Sequence, residues 1–191
     1  TTMAALAALF TAAPVTAQGP WTLDFRAGAA LPTQDLGQDE ISTGTGFEGS
    51  LGYRIMEHVS AYAGWDWHRF AADQSFAGSD VDLEETGYAY GVRFEHPFSG
   101  ESGAGPAYTL RAGGTYNHLE IENSEGDIIA DSGHGAGWEV GAGVTFGLNE
   151  AWRVSPGARY RSLSSDVEVG DTTTDVDLRY VALEIGITWS F

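Results

Sequence analysis

The chain has 191 residues and a formal net charge of −18, with 27 acidic residues set against nine basic ones. That balance excludes a nucleic-acid partner, which needs Lys and Arg clustered at the phosphates. Cysteine is absent, so disulfide frameworks and thiolate metal sites are excluded as well. Every basic residue is an arginine, whose planar fork binds carboxylates bidentately and suits fixed, partly buried ion pairs. Twenty-six glycines and 12% aromatics point to an all-β chain, and the length fits one domain.

The first segment, "TTMAALAALFTAAPVTAQ", carries an apolar run from Met3 to Ala13 followed by the small-x-small site "VTA". Cleavage is expected after Ala17, which makes residues 1–17 the remnant of a signal peptide and the protein an exported one. The run is too short for a transmembrane helix, which takes about 20 apolar residues. Residues 18–191 then form the folded domain.

From Trp21 onward the pattern has period two. Trp21, Leu23, Phe25, Ala27, Ala29 and Leu31 share one face of the first segment; Phe47, Leu51, Tyr53 and Ile55 of the second; Val59, Ala61, Ala63, Trp65 and Trp67 of the third. Tyr88, Tyr90, Val92 and Phe94 follow, then Tyr108, Leu110, Ala112 and Tyr116, then Trp138, Val140, Ala142, Val144 and Phe146. The seventh set is Trp152, Val154, Pro156, Ala158 and Tyr160, with a bulge expected at Pro156 because proline removes a ladder bond. The eighth is Val181, Leu183, Ile185, Ile187, Trp189 and Phe191. Eight such segments predict an eight-stranded antiparallel up-and-down β-barrel, because an even count allows closure and closure removes every edge.

Alternation alone does not say which face is outside. The apolar face is free of charge in all eight segments, a purity that lipid enforces and water does not, since an arginine at a bilayer midplane costs about 2–4 kcal/mol. Aromatics gather at both ends of the segments, as interfacial girdles do. The opposite face mixes glycines with long charged side chains, which a narrow lumen needs in order to fit them. The prediction is a transmembrane barrel. Short connections, "MEH" and "GLNE", are expected on the periplasmic side with both termini. Long polar loops at about residues 32–45, 69–85, 118–135 and 162–178 are expected outside the cell.

The stretches "GFEGSLGYRIMEHVSAYAGWDW" and "WRVSPGARYRSL", with the aromatic terminal strand "YVALEIGITWSF", resemble the second hairpin, seventh strand and final strand of the OmpA/OmpX-like eight-stranded outer membrane family. The resemblance implies an integral protein of the bacterial outer membrane. It also implies that Val181, Leu183, Ile185, Ile187, Trp189 and Phe191 form the signal read by the outer-membrane assembly machinery.

Charges sorted by this topology fall into two groups. Most acids lie in the four long loops, Glu85 among them, where divalent cations could bridge them to anionic lipopolysaccharide. The rest, with seven arginines that include Arg54, face the lumen. A balanced interior predicts a salt-bridge network built from Arg26, Glu48, Asp66, Glu139, Arg159 and Glu184, because unpaired burial costs several kcal/mol per ion. Hairpin symmetry sets Glu139 opposite Arg159, brings Glu184 to its other side, and sets Glu48 opposite Asp66 with Arg26 as their cation. The network is expected to plug the barrel; a switchable ion gate, resembling that proposed for the family, is the alternative.

The expected role is therefore structural or surface-interacting and non-enzymatic, carried by a monomer without cofactor. A narrow porin-like channel is the second reading and a lipid-A-modifying enzyme the third. "HPFSG" is similar to the His and Ser of outer-membrane lipid A deacylases, but His96 and Ser99 fall at the wrong end of the barrel. No three histidines share a ligand-like spacing, so no metal site is predicted.

Overall fold

In the computed structural model, described over residues 19–34, 41–75, 78–98, 105–169 and 172–191, eight strands run in sequence around a closed antiparallel barrel. They are β1 (Trp21–Pro32), β2 (Gly44–Met56), β3 (Val59–Ser75), β4 (Gly78–Pro97), β5 (Ala107–Glu122), β6 (Ile128–Gly147), β7 (Trp152–Val169) and β8 (Thr172–Ser190). Strand β1 closes on β8 from Thr22↔Ser190 to Pro32↔Tyr180. Two ends can be told apart. The near end holds Trp21, Phe191 and the tight β2–β3 and β6–β7 turns; the far end holds the β3–β4, β5–β6 and β7–β8 hairpin tips. The signal-peptide segment lies outside the described residues, as do Asp35, Asp39, Glu40, Ser99 and Glu101.

The apolar rows face outward. Phe25, Leu51, Tyr90, Val92, Leu110, Val140, Ile185 and Ile187 are all exposed, forming a continuous belt around the strands. Aromatic pairs border it at the near end, with Trp21 on Tyr53 and Trp189 stacked between Trp152 and Phe191. Phe47 with Trp67 and Trp138 with Tyr160 border it at the far end.

Three of the four long connections continue as paired strands rather than loops. β3 and β4 remain paired from Val59↔Phe94 out to Ser75↔Gly78, and β7 and β8 out to Val169↔Thr172. Above the far aromatic border the alternation keeps its phase but exchanges its chemistry. Asp82, Glu84, Glu120, Glu122, Asp175 and Asp177 stand outward on the same parity as the belt residues below them. Phe70, Val81, Leu83, Leu119, Ile121, Leu163, Val176 and Leu178 point inward and pack as one buried cluster. Each fully buried side chain of this size contributes roughly 1.5–3 kcal/mol, so the extension has a core of its own.

Three further expectations are corrected. The β6–β7 register keeps step across Pro156, from Gly143↔Gly157 to Phe146↔Val154, and slips instead between Asp131 and Gly137. Arg54 is exposed at the near mouth, beyond the packed lumen. Glu85, expected in a solvated loop, is buried inside the barrel.

Candidate functional site

The lumen is filled from the near end upward by three layers of ion pairs, each built where inward positions of β1–β8 meet across the barrel. In the first, Asp24 takes Arg26 Nε at 2.6 Å and Arg93 at 3.3 Å, and the Thr188 hydroxyl donates to it at 2.5 Å. Arg26 is thus spent on Asp24 of its own strand, not on Glu48 and Asp66 as hairpin symmetry suggests. Its Cα does sit opposite Glu48.

The second layer is the centre of the network. Arg159, buried to 2% exposure, donates to Glu48, to Glu139 at 3.0 Å and to Glu184. Arg111 donates through Nε to Glu139 at 2.7 Å and through Nη2 to both oxygens of Glu48 at 2.8 Å. The Tyr62 hydroxyl donates to Glu139 at 2.6 Å, and the Arg111 guanidinium lies 3.9 Å above the Tyr62 ring. Space for that ring comes from glycine: a Cβ on Gly113 would lie 2.4 Å from the Tyr62 hydroxyl oxygen and 2.3 Å from the Tyr90 carbonyl oxygen.

Glu139 meets Arg159 by a diagonal reach. The residue directly opposite Glu139 is Arg161, and the one opposite Arg159 is Gly141. Hairpin symmetry placed this pair two residues out, because the β6–β7 turn is centred one position beyond Asn149. Glu48 does stand opposite Asp66, but each carboxylate has its own cations, Arg111 and Arg159 for the one and Arg161 for the other.

In the third layer Arg161 grips Asp66 bidentately at 2.9 and 3.0 Å and donates to the Tyr180 hydroxyl at 2.9 Å. Tyr180 passes its own proton toward Glu85 at 2.7 Å. The Asn117 amide donates to Asp66 and Glu85, both at 2.8 Å. Arg161 Nε, 3.4 Å from Glu139, ties this layer to the one beneath. Over it sits the apolar cluster, with Phe70 edge-on to the Tyr180 ring at 5.2 Å.

The layers draw in the six residues of the predicted network: Arg26, Glu48, Asp66, Glu139, Arg159 and Glu184. They also draw in Tyr62, Glu85, Arg93, Arg111, Asn117, Arg161 and Tyr180. A small cavity between the first two layers is lined by Arg26, Arg93, Thr109, Arg111, Arg159 and Glu184. Val181, Leu183, Ile185, Ile187 and Trp189 all lie on the outward face of β8, and Phe191 hydrogen-bonds Trp21 beside them. His96 Nδ1 lies 2.7 Å from the Pro97 carbonyl, and its would-be partner Ser99 is outside the described residues.

A belt of lipid-facing side chains around an ion-paired lumen defines an integral β-barrel membrane protein. Residues 3–191 match the family described as "Outer membrane protein beta-barrel domain", and the chain belongs to that family. Among solved structures it is similar to Neisserial surface protein A, at 18% identity and a TM-score of 0.60, over 90% of this chain and 96% of that one. It is similar also to the outer membrane protein OprG of Pseudomonas aeruginosa, at 14% identity and a TM-score of 0.52, over 93% and 100%. The outer membrane protein W of E. coli aligns at 15% identity and 0.53, over 91% and 100%. At these identities the likeness is one of fold. No curated protein matches the chain in sequence.

Proposed function

We propose that this outer membrane barrel is a sealed, non-enzymatic anchor that presents its far-end extension outside the cell as a surface for interaction. The observation that carries the reading is the double closure of the lumen, by ion pairs and then by the apolar cluster above them. A conduit for ions or small solutes has no use for either. The short turns and both termini then face the periplasm, and the tall acidic hairpins face outward, as is usual for such barrels. The partners implied are lipopolysaccharide, bridged to the acidic outer face by divalent cations, and the assembly machinery reading the outward row of β8. The barrel works as a monomer.

Conductance tests the seal and labelling tests the orientation. Refolded into planar bilayers, the chain should show no discrete single-channel events; steady openings would favour the narrow-pore reading. On intact cells, Ser124→Cys in the β5–β6 turn should react with a membrane-impermeant maleimide, and Glu150→Cys in the β6–β7 turn should not. The reverse labelling pattern would overturn the orientation.

A further inference from the structure

We propose that His118 and His134 form a site for one borderline-soft divalent ion, of the Zn2+, Cu2+ or Ni2+ class, on the outward face of the far end. The β5–β6 register sets the two residues directly opposite one another, one rung above Tyr116. Their ring centroids are 4.7 Å apart, with planes tilted by 54°. An imidazole centroid lies about 3.2 Å from an ion bound at its nitrogen, so two rings on one ion, at angles from square-planar to tetrahedral, have centroids about 4.5–5.2 Å apart. The observed pair falls inside that window.

The protonation pattern points the same way. His118 Nε2 lies 3.0 Å from Glu120 Oε1. An ionised carboxylate only accepts, so Nε2 carries a proton, and in the neutral imidazole Nδ1 presents its lone pair. That Nδ1 is buried and has no hydrogen-bond partner, an arrangement that costs free energy unless something occupies the lone pair. A carboxylate behind one imidazole nitrogen with a ligand at the other is how metal-binding histidines are commonly oriented. His134 is exposed and stacked on Tyr116 at 5.0 Å, which holds the ring while leaving solvent access. Asp131, opposite Glu120, adds to a negative surface that concentrates cations.

Among the described residues no three His, Asp or Glu side chains are gathered for a metal. The site is therefore an open one, two imidazoles completed by water. Imidazole selects Zn2+, Cu2+ or Ni2+ over Mg2+ and Ca2+, which prefer oxygen. A second histidine pair, His58 and His96, lies at the near end at 4.6 Å. Both of its Nδ1 atoms face backbone carbonyls, its rings sit among Phe94 and Tyr108, and the neighbouring Glu95 is engaged by Arg153. Backbone carbonyls can orient these rings too, but neither has a buried nitrogen without a partner, which is what marks His118, so this pair serves as the comparison.

The test is calorimetric titration of the refolded full chain in detergent with ZnCl2, alongside Cu2+ electron paramagnetic resonance. One Zn2+ per chain should bind, and His118→Ala or His134→Ala should each abolish the signal while circular dichroism shows an intact barrel. His134→Gln, on an exposed position, is the second variant should alanine disturb folding. Glu120→Gln should weaken binding by about 10–100-fold, as loss of an orienting partner does. The His58→Ala/His96→Ala double variant should bind as wild type, and the Cu2+ spectrum should show coupling to two nitrogens. Absence of stoichiometric binding, binding that survives His134→Ala and His134→Gln, or binding lost in the near-end double variant would each overturn the site. None of these readouts depends on which end of the barrel faces outward.

Discussion

Strands β3–β8 run from the lower belt into the far extension, keeping one inside–outside phase except at the β6 slip, and the two regions bury opposite kinds of side chain. In the belt, Trp65, Tyr88 and Ile185 face out while Asp66, Arg159 and Glu184 face in. In the extension Asp82, Glu120 and Asp175 face out while Leu83, Leu119 and Val176 face in. Apart from the β6 slip the backbone does not turn over between them; the surroundings change. Lipid admits no charge on the outer face, so the belt's polar residues must be satisfied inside, and only pairing makes that tolerable. Above the bilayer water takes the outer face, and the hydrophobic effect reclaims the interior. The border runs between Trp67 and Arg69 on β3 and between Tyr116 and Glu120 on β5.

If the two interiors are of different kinds, they should fail differently. The largest effect is expected in the belt. Removing one partner of a buried pair typically costs about 3–5 kcal/mol, and Arg159→Met strips a guanidinium from three carboxylates at once. Glu48 and Glu139 retain Arg111, whereas Glu184 is held by Arg159. Arg159→Met combined with Glu184→Gln should therefore recover much of the loss in urea unfolding, with further gain from Glu139→Gln. A single variant that unfolds like wild type would show that the central layer does not act as drawn.

Phe70→Ala attacks the other interior. Truncating a buried Phe typically costs about 3–5 kcal/mol, but the damage should be regional. Hydrogen exchange should quicken along the far halves of β3, β4 and β8 and leave the belt amides protected. Uniform quickening would mean that the extension has no independent core.

The belt was legible in the sequence because lipid leaves a pure signal: parity defines the rows from Trp21 to Phe191, and their freedom from charge turns them outward. The extension was harder to see. "VDLE", "LEIE" and "DVDL" alternate perfectly, with Val81, Leu83, Ile121 and Leu178 on the inward parity of their strands, but their acidic half resembles a solvated loop, as the rule of long outer loops predicts. Applying period two there, without asking which face was charged, would have found the strands and moved Glu85 indoors. Parity found the six charged residues of the predicted network, and neighbour pairing found Arg159 between Glu139 and Glu184, but the partners that reach across the barrel were missed. Contacts such as Arg111 with Glu48 and Arg161 with Asp66 cross the barrel between strands far apart in sequence. Hairpin arithmetic sees only adjacent strands, and a one-position error in the β6–β7 turn set Glu139 directly opposite Arg159, which it meets diagonally.

A charge placed on the outer face should separate the two regions next. Ile185→Arg, on the 63%-exposed side chain, should lower stability in bilayers by about 2–4 kcal/mol if it lies near the midplane. Asp175→Arg keeps the same outward parity above the border and should cost little, because the arginine enters water. Equal losses at the two positions would erase the border between belt and extension.

The smallest expected effect is a pH dependence confined to the extension. Asp166 and Asp175 face each other across β7 and β8, and both are exposed. The hydrogen bond that protonated Asp166 donates to Asp175, followed by the repulsion between the two carboxylates, raises the Asp166 pKa above the ordinary aspartate value. A raised folded-state pKa means that the pair binds its proton more tightly when the hairpin is formed. The stabilisation is therefore complete below the ordinary aspartate pKa of about 3.9 and is lost as pH rises through the higher folded value. Because the groups are exposed, salt should weaken the effect. Carboxyl-detected NMR should find Asp166 titrating above the usual range, and Asp175→Asn should return it toward normal. Amide protection at the β7–β8 tip should be greater in mild acid than at neutral pH in the wild type, and flat with pH in Asp175→Asn. The belt amides should not respond in either protein, since the pair stands on the water side of the border. An unchanged Asp166 titration in Asp175→Asn would show that the two carboxylates do not share a proton.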